Sequence, residues 1–125
     1  MEFKELQEKV IENAKKYCEK YDVELDEDFA LFKLYEEVGE LAQDILIHRK
    51  KCRPEKYLSK KESKEELAKE LADILGMVIV VAYLFDIDLE KAIDKKWINK
   101  KSKKSSNISN KQKVEELIDP EQIIS

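Results

Sequence analysis

Residues 65–85 read Glu65-Glu66-Leu67-Ala68-Lys69-Glu70-Leu71-Ala72-Asp73-Ile74-Leu75-Gly76-Met77-Val78-Ile79-Val80-Val81-Ala82-Tyr83-Leu84-Phe85. Charge stops at Asp73, and the remainder is apolar nearly all round. That pattern predicts a helix whose second half is buried on every side. Just upstream, Ser63-Lys64-Glu65-Glu66 matches a capping box, in which the Ser63 hydroxyl accepts from the Glu66 amide and Glu66 reaches back. The helix is therefore expected over residues 64–85. Its apolar run, residues 74–85, is well short of the ~20 residues a membrane span needs.

Working outward, residues 29–51 repeat Leu31, Leu34, Val38, Leu41, Ile45 and Leu46 at helical spacing. Arg49, Lys50 and Lys51 then suit the negative end of a helix dipole, and Arg53-Pro54 marks the stop. Phe3, Leu6, Val10, Ala14 and Tyr17 form one apolar stripe over residues 3–21. An acidic connection, residues 22–28, joins these two helices, and residues 52–62 read as a polar loop. Asp86-Ile87-Asp88 makes the next turn, with Asp88 as the expected N-cap of a helix over 89–101. Four helices with fairly short connections imply an all-α four-helix bundle spanning residues 1–101. From Ser102 the composition shifts to Ser, Asn and Lys, so residues 102–125 are expected to form a flexible polar tail with room for a short terminal helix.

Composition agrees. In 125 residues there are only two glycines and two prolines, and 42% are charged. Long amphipathic helices fit that balance better than sheets and tight turns. The net charge of −4 argues against a general nucleic-acid binder, so no nucleic-acid partner is expected. Cys18 and Cys52 make no paired Cys/His spacing, which leaves zinc and disulfide frameworks unsupported. With no apolar signal core at the start and no membrane span, the expected location is the cytoplasm.

The residues that carry chemistry are acidic. One helix holds Glu36-Glu37-Val38-Gly39-Glu40, and the next holds Glu70-Leu71-Ala72-Asp73. Residues three apart share a helix face, so Glu37 pairs with Glu40 and Glu70 with Asp73. If the helices pack side by side, four carboxylates converge, and a hard divalent cation, Mg²⁺ or Mn²⁺, offsets their repulsion. Spacing by itself is not decisive, because Glu2/Glu5, Glu5/Glu8, Glu24/Glu27 and Glu62/Glu65 repeat it. Two further features are. Both glycines, Gly39 and Gly76, lie beside the acidic pairs inside helices, where each costs about 1 kcal/mol relative to Ala, which implies close backbone approach. The acids also border apolar residues, where a carboxylate without a purpose is expensive.

Taken together, Lys33 to Leu41, Glu65 to Leu75, Asp86 to Ile93 and Lys96 to Lys100 resemble the MazG-type all-α nucleoside triphosphate pyrophosphohydrolases, whose signature is EExxE followed by ExxD. The resemblance covers residues 29–101. It implies a helical homodimer or homotetramer, and Mg²⁺-dependent cleavage of a nucleoside triphosphate between its α- and β-phosphates. By position, it makes Glu37, Glu40, Glu70 and Asp73 the metal ligands. Glu36 becomes an auxiliary acid, either a second-metal ligand or an orienter of the attacking water, and with Glu37 makes the catalytic pair. Lys33, Lys96, Asn99 and Lys100 become phosphate-binding residues, meeting the charge that develops on the phosphates. The chain departs from the pattern in the long stretch between Glu40 and Glu70, and in carrying lysine where many relatives carry arginine.

Other features have ordinary readings beside functional ones. His48 and Cys52 can share a helix face, but two ligands do not make a metal site. Trp97 is a candidate to stack on a base, or a packing residue. A non-catalytic helical oligomer holding metal or a partner through the same acids is the alternative to an enzyme. A di-iron bundle needs Glu-x-x-His motifs, which are absent.

Overall fold

The computed structural model describes residues 1–99. Among them are four α-helices, α1 (Phe3–Lys20), α2 (Glu27–His48), α3 (Lys60–Leu84) and α4 (Leu89–Ile93), and no strand. The architecture is all-α, as the periodicity implies. Residues 1–88 form one compact unit, and a second begins at Leu89. The expected tail, 102–125, and Lys100 lie outside the described residues.

In the first unit α3 is the central element, packing along α2 and against α1. The fully buried apolar residues are Cys18 of α1, Ala30 of α2, and Ile79, Val80 and Ala82 of α3. The C-terminal half of α3 is therefore the core, but not on every side as its sequence implies. Leu75 is 46% and Tyr83 43% exposed. Helices α1 and α2 cover only part of its circumference.

Helix starts follow local chemistry. Asp26 caps α2 by accepting from the Phe29 amide at 2.8 Å. The capping box of α3 is formed one turn earlier than expected. Ser59 Oγ accepts from the Glu62 amide at 3.1 Å, while Glu62 Oε1 accepts from the Ser59 amide at 3.2 Å. Ser63 instead lies inside the helix, 4% exposed, with its Oγ 2.9 Å from His48 Nδ1. That bond joins the C-terminal end of α2 to the first turns of α3. Between them, Pro54–Lys56 makes a short 3₁₀ turn.

The ends of α1, α2 and α3 follow a single device. Asp22, Lys50 and Asp86 each adopt a left-handed conformation, with φ of 51°, 56° and 55°. The amides after them close back on Cys18, Leu46 and Ala82 carbonyls at 2.8 Å, which is the Schellman arrangement. Glycine usually occupies that position, and here Asp and Lys do so.

The second unit also departs from expectation. The helix predicted over 89–101 is α4 followed by a π-helical turn, Asp94–Ile98, closed by an Asn99 amide bond to the Asp94 carbonyl.

Candidate functional site

Glu36, Glu37 and Glu40 stand on successive turns of α2, and Glu70 and Asp73 on one face of α3. The α2–α3 packing brings them together. One carboxylate oxygen each from Glu37, Glu70 and Asp73 lies within 4.8 Å of the other two, and the same holds for Glu36, Glu37 and Glu40. Glu37 belongs to both groups and joins them.

Electrostatics mark the same residue. Burial, then a hydrogen bond with Glu70, then the charges of Glu40 and Asp73 push the Glu37 carboxyl up to about 7. Burial also raises Glu70, helped by the charges of Glu40, Asp44 and Asp73 and opposed by its bond with Glu37. The contact between the two carboxyls across the helix seam acts in opposite senses, raising Glu37 and lowering Glu70. Each still has a buried oxygen, Oε2, without a hydrogen-bond partner. Among the described residues no cation pairs with Glu37, Glu40, Glu70 or Asp73. Orphaned buried oxygens on an all-carboxylate donor set are what a hard divalent cation satisfies, so the residues present fit such an ion.

Lys33 lies one turn before Glu37, half-buried, and its ammonium is 3.5 Å from Glu36 Oε1. Glu36 itself is exposed. Lys96, Trp97 and Asn99 belong to the second unit, in or beside the π-helical turn, with Trp97 74% exposed. Lys100 is outside the described residues. The glycines do not act as expected within the chain. Among the described residues a Cβ at Gly39 would meet nothing within 4 Å, and one at Gly76 would make only ordinary contact with Val10 at 4.0 Å.

Beside the acids lies a cleft of about 540 Å³, walled by all three helices of the first unit. Glu37 and Asp73 line it, with Lys33 and Phe29 of α2 and Gly76 and Met77 of α3. The α1 wall was not legible as functional, since that helix shows only an amphipathic stripe. Asp44 was also missed. It sits one turn beyond Glu40 in an apolar stretch, and burial with the charges of Glu66 and Glu40 raises its carboxyl. The signal was present in its i+4 spacing from Glu40. His48 and Cys52 form no metal group with a third ligand among the described residues.

A helical unit with carboxylates meeting across one helix pair, beside a ligand-sized cleft, defines a carboxylate-site α-protein whose donor set could hold a hard divalent cation. The chain matches the MazG nucleotide pyrophosphohydrolase domain over residues 28–108 and belongs to that family. No curated protein and no solved structure matches it. Among the described residues no helix is long and apolar enough to cross a membrane.

Proposed function

We propose that the protein hydrolyses a nucleoside triphosphate between its α- and β-phosphates, giving a nucleoside monophosphate and pyrophosphate, in nucleotide-pool housecleaning. The observation that carries this is the meeting of Glu37, Glu70 and Asp73 within 4.8 Å on a chain of this family. Glu37, Glu40, Glu70 and Asp73 would hold Mg²⁺, with Mn²⁺ as a substitute of the same hard character. When bound, the ion supplies Lewis acidity to the phosphoryl oxygens and favours ionisation of water. Glu36, exposed on α2, orients the attacking water and takes its proton together with Glu37. Lys33 offers positive charge at the cleft. Lys96, Asn99 and Lys100 are the further phosphate partners, with Trp97 stacking on the base. Lysines act there as point charges rather than bidentate forks.

The reading includes a homodimer, or a homotetramer built from it. Phe32, Tyr35, Gly39, Ala42 and Leu46 follow one another at spacings of three and four along α2, and all are exposed. Phe32 is 67% and Tyr35 66% exposed, an apolar seam of the kind that packs against a second helix. Gly39 in its middle allows backbones of two copies to approach. The free cysteines suit a cytoplasmic location.

Product separation tests the reading. With Mg²⁺ and a panel of nucleoside triphosphates, monophosphate and pyrophosphate should accumulate together. Diphosphate with phosphate would place the cleavage between the β- and γ-phosphates instead, and no turnover with Mg²⁺ still bound would favour the non-catalytic scaffold. Sedimentation should give a dimer or tetramer, and a monomer at micromolar concentration would contradict the assembly.

A further inference from the structure

We propose that α1 is the wall that reads the nucleoside part of the substrate, and that the Asn13 carboxamide is its discriminating group. This rests on the nucleotide reading above and adds to it the residues that decide which nucleotide is accepted.

The cleft has two chemically distinct parts. Glu37 and Asp73 mark the end where a cation and phosphates belong, while Val10, Ala14, Met77 and Val80 supply apolar wall. Its volume of about 540 Å³ lies in the range of small-molecule sites. A nucleotide has the matching division, with a polyanionic end and a flat base that is apolar on its faces and polar along its edge.

The phosphate end is common to every nucleoside triphosphate, so groups that grip it bind all of them alike. Discrimination has to come from polar groups that meet the base edge, because a group left unpaired by the wrong base costs affinity. On α1 the polar residues of the cleft are Lys9, Asn13 and Tyr17, four residues apart and therefore on one face. Lys9 is held by Glu5 at 3.2 Å, and the Tyr17 ring stacks on Tyr21 with centroids 4.9 Å apart. Asn13 is in neither arrangement. Its carboxamide carries a donor and an acceptor side by side, the pattern that pairs bidentately with a base edge showing one of each. The family match begins at residue 28, so α1 lies outside it. The acids lie within the matched residues, and α1 precedes them.

The test is binding of the four ribonucleoside monophosphates to the full chain in the presence of Mg²⁺, followed by amide NMR, for wild type, Asn13→Ala and Asn13→Asp. Asn13 is exposed on a helix and alanine is the better helix former, so the Ala variant is expected to fold. In wild type, the Asn13 side-chain amide and the Gly76 backbone amide should both move, and the best base should bind about ten-fold or more tighter than the worst. Asn13→Ala should bring the four affinities within about three-fold of one another, and Asn13→Asp, which keeps acceptors and loses the donor, should change their order. An unchanged order and spread in both variants would overturn the assignment, as would shifts at Gly76 with none at Asn13. If wild type turns over triphosphates and binds monophosphates while the variants discriminate as it does, the α1 assignment fails and the nucleotide reading stands. If wild type neither binds nor hydrolyses any nucleotide, both fail.

Discussion

Glu37 of α2 and Glu70 of α3 hydrogen-bond to each other across the helix seam, each with a second buried oxygen unpartnered. Burial and this contact favour a proton on Glu37, and a cation at the same oxygens would compete with it. The site is thus poised between a protonated and a metal-loaded form, and that balance has measurable consequences.

The first is a pH dependence of the metal-free protein. The folded Glu37 carboxyl sits at about 7, above its ordinary value of 4.5. Folding therefore favours its protonated form. The associated stability is fully present below about pH 4.5 and is lost as pH rises through about 7. Each tenfold change in proton affinity is worth about 1.4 kcal/mol, and solvent screening at this half-buried position reduces the total to about 2 kcal/mol. Urea titrations in chelator at pH 5 and pH 8 should show the loss, and equal stability at both would mean that folding does not raise the Glu37 carboxyl.

Metal loading should expel that proton. Calorimetric Mg²⁺ titrations near pH 6 in two buffers of different ionisation enthalpy should give a release of about one proton per ion. Release should fade by about pH 8.5, where Glu37 is already ionised. Binding with no proton release at pH 6 would place the ion elsewhere.

Removing a ligand should separate fold from site. Glu40→Gln and Asp73→Asn are each expected to keep the helical spectrum while lowering Mg²⁺ affinity and turnover by about 100-fold or more. Full activity in either variant would take that residue out of the site.

The start of α3 can be checked by stability. Ser59→Ala removes the observed cap and should cost about 1 kcal/mol. His48→Ala leaves the buried Ser63 hydroxyl without its partner and should cost a similar amount, about 1–2 kcal/mol, with turnover unchanged. Lost turnover in His48→Ala would mean that the histidine serves chemistry.

Lys50, left-handed at the end of α2, should gain from glycine. Lys50→Gly relieves a strained non-glycine conformation and is expected to stabilise by up to about 1 kcal/mol in a thermal melt. A loss of stability would mean that the Lys50 ammonium, 5.7 Å from the Tyr57 ring centre, contributes more than the strain costs.

These residues also show what sequence could and could not reveal. The helices were legible because apolar residues recur at helical spacing, and the acidic pairs because residues three apart share a face. The start of α3 was not. Ser59-Lys60-Lys61-Glu62 and Ser63-Lys64-Glu65-Glu66 satisfy the same capping pattern, and only the His48 contact, fifteen residues away, takes Ser63 into the interior. Helix ends lacked their usual mark because Asp22, Lys50 and Asp86 do glycine's work. Gly39 signalled close approach correctly in kind only if its neighbour is another copy, since nothing among the described residues of its own chain comes near. The α1 wall and Asp44 depend on which faces meet, which spacing along one helix does not encode.

The central claim is that carboxylates from two helices hold Mg²⁺ for cleavage between the α- and β-phosphates. Its most direct test is the ratio of pyrophosphate to phosphate released from nucleoside triphosphates, measured against Mg²⁺ for wild type and Glu40→Gln. Pyrophosphate should be matched one-to-one by monophosphate, absent in chelator and nearly absent in Glu40→Gln. Phosphate and diphosphate as the products, or pyrophosphate release that survives both chelator and Glu40→Gln, would contradict it.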